Sequence, residues 1–400
     1  MQDSLLILVL ALLSMVGPIG IDTYLPSLPA IADTFAASPV AVQQTLSIYI
    51  LCMAVMMLFF GTLSDSFGRR KVLVAALTVF TLTSFAAALA PSLGALLVLR
   101  ALQGLASGAG SIVGRAMVQD HFKGHDAQRA TAVIMMVFGL APAIAPVLGG
   151  WMQTTWGWRS TFVFMGSFSA LMGFICVRYL PETLPPAQRQ PFEATHLMRG
   201  YWQLGASPRF LLLALASGVP FNGMFLYVLA APAFLGDLLA LEPGQFFWFF
   251  ILTIAGIMAG AWLSGRLAGK IAPKRQIRHG FLIMVLVSVI NLGANLLFPA
   301  HVSWSMFPIA IFAFGWALMV PVVTLLVLDL YPERRGMASS LQAFIGSTAN
   351  GIVAGVIAPL VMHSAVGLAA ASMLMLFVGL VAWVYLHHRW PEIGRTSMEV

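Results

Sequence analysis

Between the apolar runs at 41–62 and 72–90 stands Gly61-Thr62-Leu63-Ser64-Asp65-Ser66-Phe67-Gly68-Arg69-Arg70-Lys71. Some 204 residues further on, Gly265-Arg266-Leu267-Ala268-Gly269-Lys270-Ile271-Ala272-Pro273-Lys274-Arg275 stands in the same place, between the runs at 245–268 and 278–298. A second pair of marks, Asp120-His121-Phe122 and Asp329-Leu330-Tyr331, is separated by 209 residues. Two short polar marks that recur at nearly one spacing within a row of apolar runs describe a duplicated unit.

The runs around these marks set the class of protein. The chain has 400 residues, of which 60% are hydrophobic and only 9% charged, with a mean hydropathy of +0.92. Soluble domains carry about 25% charged residues, so this composition excludes a cytosolic enzyme, a secreted disulfide domain and a disordered chain. Cys52 and Cys176 both lie inside apolar runs and can form neither a disulfide framework nor a metal knuckle. A spanning helix takes about 20 apolar residues, so twelve with short loops use about 400. The runs fall near 5–30, 41–62, 72–90, 94–116, 128–151, 158–180, 209–233, 245–268, 278–298, 303–329, 337–361 and 366–388. No positive residue precedes the first run and no small-x-small cleavage site follows it, so it is expected to remain as the first span.

The expected fold is therefore an all-α polytopic membrane protein with twelve transmembrane helices in two six-helix bundles. Residues 1–180 form the first bundle and 209–388 the second. A proline-bearing cytoplasmic central loop at 181–208 joins them, and 389–400 form a cytoplasmic tail. Two six-span halves around a midplane site is the architecture of an alternating-access transporter. Orientation follows from Lys and Arg: with the N-terminus inside, 18 of them lie on the inner side and only Arg159 on the outer, while Arg100 and Arg115 fall within a span. That bias places both termini in the cytoplasm. It also accounts for the net charge of +7 without a nucleic-acid partner.

Polar groups inside the spans are the candidate functional residues. Asp22 follows Gly17-Pro18-Ile19-Gly20-Ile21 in the first span. Facing hydrocarbon would cost a carboxylate several kcal/mol, so such a group marks a proton or ion path, or else sits at the interface near the end of a short span. Arg100, at comparable depth in the fourth span, either tunes Asp22 or snorkels to the headgroups. Tyr24, Gln43, Tyr49, Asn222, Tyr227 and Asn350 can orient a ligand in an apolar cavity or satisfy one another between helices. Gly104, Gly108, Gly110 and Gly114 permit close helix approach, as do Pro146, Gly149 and Gly150 in a kinked fifth span. Asp65 can meet the positive end of the helix that begins near Gly336, and Arg69 can pair with Asp120. The loop residues Gly61, Asp65, Gly68, Arg69 and Arg70 are then a conformational latch or, alternatively, only a topology signal. A metal is not expected from Asp120-His121 and His125-Asp126. The chain lacks a phosphate-binding Gly-x4-Gly-Lys-Ser/Thr loop, a nucleophile elbow and His-Glu-x-x-His, so no cofactor and no enzymatic activity are expected.

Five marks in order carry a resemblance: Asp22-Thr-Tyr24-Leu-Pro26-Ser-Leu-Pro29, the Gly61–Lys71 loop, Leu99-Arg100-Ala-Leu-Gln103-Gly104, Ala145-Pro146-Val-Leu-Gly149-Gly150 and Leu180-Pro181-Glu182-Thr183-Leu184-Pro185. Together they resemble the major facilitator superfamily, and more narrowly its bicyclomycin/chloramphenicol-resistance (Bcr/CflA) drug:proton antiporters. Ser66 stands where that loop usually has a basic residue, and Ala132, Ala141 and Ala145 where the fifth-span motif has glycines. The resemblance implies a monomeric, proton-driven multidrug efflux antiporter of the bacterial inner membrane. It would export small lipophilic compounds such as phenicols or bicyclomycin, with Asp22 and Arg100 coupling the proton and Pro146, Gly149 and Gly150 as the antiporter motif. A proton-coupled importer of a nutrient on the same scaffold is the alternative.

Overall fold

The computed structural model describes residues 3–122, 124–189, 191–242, 245–267, 269–331 and 334–393, with backbone alone at 124–129, 131, 132, 135, 136, 138–140, 143, 194, 196 and 335. The side chains of the His125-Asp126 pair and of Ala132 lie outside that description. Among the described residues the chain is helical throughout, without strands. In hydrocarbon each backbone N–H and C=O must be satisfied within the protein, and a helix does this inside a single segment.

Eleven helical stretches are long and apolar enough to cross a membrane: Asp3–Thr34, Pro39–Met57, Arg69–Ala88, Leu93–His121, Arg159–Tyr179, Pro208–Leu229, Phe247–Leu267, Pro273–Leu297, Val302–Leu330, Gly336–Val361 and Ala365–Arg389. A 33-residue helix, Gly124–Trp156, stands between the fourth and fifth of these, at the place of the fifth expected span. With it, the twelve spans follow in the expected order. Sharp starts explain how such short loops suffice. Ser38, Ser92 and Ser364 accept the N–H of Ala41, Ala95 and Gly367 as N-caps, and Pro39, Pro208 and Pro273 sit in first turns, where no N–H is needed.

By contact, the chain divides into two compact units, Met1–Ala194 and Thr195–Val400. In the first, the opening span is not one continuous helix. It runs as Asp3–Ser14, Val16–Asp22, a 3₁₀ turn at Leu25–Ser27 and Leu28–Thr34. Pro26 and Pro29 lack N–H groups and cannot continue an α-helical ladder through this stretch. In the second unit the matching span, Pro208–Leu229, is an unbroken α-helix through Pro220 and ends in a π-helical segment, Pro232–Leu238.

The segment expected as a loop at 181–208 contains a helix, Ala194–Gly205. Leu197, Tyr201 and Leu204 recur at helical spacing and are buried on one face, while Trp202 is 79% exposed. The prolines that suggested a loop lie on either side of this helix, and Gly205 and Pro208 end it.

Candidate functional site

The break in the first span organises the polar interior of the first unit. Because the Tyr24 N–H turns to the Ile21 carbonyl (3.2 Å), the Gly20 carbonyl loses its usual i+4 donor. Arg100 from the fourth span supplies the missing bond: its Nη2 donates to Gly20 O at 3.0 Å. Its Nη1 donates to Gln103 Oε1 at 3.0 Å, and Gln103 Nε2 donates in turn to Ser84 Oγ at 2.7 Å. The guanidinium is fully buried between the rings of Tyr24 and Tyr49, whose centroids lie 4.4 and 4.1 Å from its central carbon. Aromatic faces of this kind attract a desolvated cation. Tyr24 shares a 2.5 Å hydrogen bond with Thr45 Oγ1, and Tyr49 donates to Gly17 O at 3.0 Å. Both phenol hydroxyls are thus bonded elsewhere, and only the ring faces meet the arginine.

Asp22 ends the short helix Val16–Asp22 within this broken stretch and is buried. Among the described residues, its carboxylate has no hydrogen-bond donor and no paired cation; the Arg100 guanidinium is turned to Gly20 and Gln103 instead. A buried carboxyl without a counter-charge is costly in its ionised form. The fifth span closes over the same segment. Pro142 and Pro146 lie inside the helix Gly124–Trp156, with Pro146 and Gly149 buried and Gly150 partly so. A Cβ on Gly149 would run into the carbonyl of Thr23, next to Asp22. Gly104 likewise meets the backbone of Tyr49, so glycine at both places lets neighbouring spans approach to backbone contact.

The remaining ligand candidates are held differently from the tyrosines. Gln43, Asn222 and Asn350 each carry a buried amide atom with no partner among the described residues: Nε2 of Gln43 and Oδ1 of the two asparagines. Asn222 Nδ2 donates only to Gly218 O, at 3.2 Å within its own helix. Tyr227, by contrast, accepts a 2.9 Å bond from Asn291 Nδ2.

At the opposite end of the first unit, Arg69 pairs with Asp65 (2.5 Å) and Asp120 (3.0 Å) and donates to Ser64 Oγ (2.6 Å). The carboxylate of Glu182 accepts the backbone N–H groups of Arg69 (2.9 Å) and Arg70 (3.3 Å), capping the helix Arg69–Ala88. A negative charge at that end complements the helix dipole. Thr183 donates to Asp120 Oδ2 (2.9 Å), and the Arg70 side chain bonds the Val177 carbonyl. Gly68 takes φ = 101°, a left-handed conformation that disfavours any side chain, and a Cβ there would press on Glu182. Gly61 has open space around it. Glu182, Thr183 and Ser84 were not among the sequence candidates. The signal available for the first two was their place in the Leu180–Pro185 mark.

A membrane-spanning helical scaffold in two units, with an arginine and a carboxyl buried within the first, is an arrangement suited to transport. A family model for the Major Facilitator Superfamily matches residues 10–355, and the chain belongs to that superfamily. It is 28% identical to "Multidrug resistance protein D" of Escherichia coli over 98% of each chain, and 27% identical to "Bicyclomycin resistance protein homolog" of Haemophilus influenzae over 96% of each. Among solved structures, a peptide transporter POT in complex with sulfate superposes with a TM-score of 0.78 at 16% identity, covering 98% of this chain and 95% of that one. At that identity the likeness concerns the fold.

Proposed function

We propose that this chain is a proton-driven multidrug efflux antiporter of the bacterial cytoplasmic membrane, with both termini cytoplasmic, exporting small lipophilic compounds such as phenicols or bicyclomycin. The observation that carries this reading is Asp22: a buried, unpaired carboxyl at the break of the first span. The names of the relatives above support the drug class, and the Asp22–Pro29 and Ala145–Gly150 marks support antiport.

In this account Asp22 takes a proton from the periplasmic side, and the protonated, neutral carboxyl favours the inward-open state. A compound entering from the cytoplasm or the inner leaflet binds, and the proton leaves Asp22 to the cytoplasm. The loaded carrier then turns outward. Each ligand drives this exchange only through its differential affinity for the two states. Arg100 is the positioning residue: it bonds the carbonyl that the break sets free and so keeps the Asp22 segment in place. Gln43, Asn222 and Asn350 supply hydrogen bonds to the compound, in keeping with their unpartnered amide atoms. The Asp65–Arg69–Asp120 cluster serves as the inner latch, for which pairs of about 0–1 kcal/mol each suffice in combination.

The test uses inside-out membrane vesicles with an acid lumen, whose pH a fluorescent amine reports. Phenicols, bicyclomycin, sulfonamides and lipophilic cations are added in turn. Lumenal alkalinisation triggered by a compound, and absent from vesicles without the protein, is the expected result. Silence across the panel with folded, inserted protein would contradict efflux.

A further inference from the structure

The second unit holds a small cavity lined by Tyr227, Ser288, Asn291, Ile309, Phe312 and Ser372 among others. Its empty space is about 200 Å³ including its mouth, with room inside for one water molecule at most. The place is not arbitrary. Ser288 lies 204 residues after Ser84, and Ile309 and Phe312 lie 209 residues after Arg100 and Gln103. These are the same two spacings that relate the repeated loop marks. The cavity is therefore the repeat counterpart of the arginine cluster, with two apolar side chains where the first unit has a guanidinium and an amide.

That exchange leaves polar groups without partners. In the first unit Ser84 Oγ accepts from Gln103 and donates to the Phe80 carbonyl at 2.6 Å. Phe312 offers no donor, and the buried Ser288 Oγ has no partner at all among the described residues. Tyr227 accepts its bond from Asn291 Nδ2, so the phenol's own hydrogen remains available. The Tyr227 hydrogen and the hydroxyls of Ser288 and Ser372 thus border a space the size of a single oxygen-bearing group. No charged residue lines it, so an ionic group would be buried there without compensation.

We propose that this cavity is a subsite for one neutral oxygen group, a water molecule or the hydroxyl or carbonyl of a transported compound, held between Ser288 and Tyr227. The substrate half of this statement rests on the efflux reading above; the water half does not.

The purified full-length protein and Ser288→Ala are compared by thermal unfolding without any compound. An occupied site predicts a lower Tm in the variant, by roughly 2–4 °C, because the oxygen group loses an anchor. A dry cavity predicts an unchanged or higher Tm, since a buried orphan hydroxyl is removed; either result overturns the water site, and together with phenicol stabilisation that is the same in Ser288→Ala it overturns the proposal. Ser288→Cys, which keeps the shape but bonds weakly, repeats the comparison should the alanine variant not fold. A high-resolution map of the native protein is then expected to show a peak between Ser288 Oγ and Tyr227 Oη, and emptiness there both without and with the hydroxyl-bearing phenicol overturns the site.

Adding a hydroxyl-bearing phenicol, and the same phenicol with fluorine in place of that hydroxyl, separates the two sources. Equal stabilisation of native and variant protein by both compounds assigns the site to water. Stabilisation by the hydroxyl compound that is lost only in Ser288→Ala assigns it to the substrate. If neither phenicol stabilises the native protein while the Tm difference holds, the water site stands and the efflux reading loses its support from phenicols.

Discussion

In the first half of the chain, Tyr24, Ser84, Arg100 and Gln103 form a charged cluster in which each side chain makes a hydrogen bond, with Arg100 Nε alone left without a partner among the described residues. At the repeat positions of Ser84, Arg100 and Gln103, the second half has Ser288, Ile309 and Phe312, which are neutral and, with Tyr227, line a cavity. The difference follows from the helix that each group serves. The first span is broken, and its break frees the Gly20 carbonyl, which only a long donor from a neighbouring helix can reach. The matching span of the second half is helical as far as Leu229; Pro220 withholds an N–H from its ladder, and the neutral Trp316 Nε1 donates to the Ser217 carbonyl at 2.9 Å, so no charged donor is used there and isoleucine takes the arginine's place. The same pattern recurs at the loop marks. Glu182 accepts from the backbone of Arg70, and 209 residues later Pro391 offers its carbonyl to Lys274, the counterpart of Arg70. One half uses a carboxylate where the other uses a neutral oxygen. Duplication has preserved the positions and let the charge become one-sided, which supports the proposal that the coupling chemistry lies in the first half.

Substitutions that make the halves alike sharpen this comparison. Arg100→Ile, which gives the first half the second half's apolar side chain, should have the largest effect. Two hydrogen bonds to a charged group are lost and the Gly20 carbonyl is orphaned, so a loss of about 3 kcal/mol and at least a tenfold drop in compound-driven flux are expected. Thermal unfolding and vesicle transport would measure the two. A variant with native stability would break the argument that the arginine exists to serve the helix break. Gly149→Ala should be the next most damaging, since its methyl meets the Thr23 carbonyl; overpacking of this kind costs about 1–3 kcal/mol. It should slow transport while leaving the protein inserted, as read by flux per folded molecule. Glu182→Gln makes the loop staple neutral like its counterpart and should cost least, about 0.5–1 kcal/mol, seen as a small fall in Tm that is reduced further at high salt.

Much of this was legible in the residues. The twelve spans follow from hydropathy, because the bilayer tolerates little else. Asp22, Arg100, Tyr24 and Tyr49 stood out as polar groups in apolar runs, and the structure places the arginine between both tyrosines. What no pattern could show is the Gly20 carbonyl, since a backbone acceptor becomes a partner only once the helix breaks. Ser84 and Ser288 are small residues of ordinary kind whose roles depend on the helix opposite. The two repeat spacings could have pointed to Ser288, Ile309 and Phe312 had they been applied to the interior as well as to the loops. The helix Ala194–Gly205 was hidden by the prolines around it, although Leu197, Tyr201 and Leu204 carry its spacing.

The account's central claim is that the proton is carried by Asp22 in the first half alone. The most direct test is compound-triggered proton efflux from acid-loaded inside-out vesicles, native protein against Asp22→Asn, with compound binding measured on the same preparations. The account predicts that the variant still binds the compound while proton efflux falls to the level of vesicles without the protein. Efflux that survives in Asp22→Asn would contradict it.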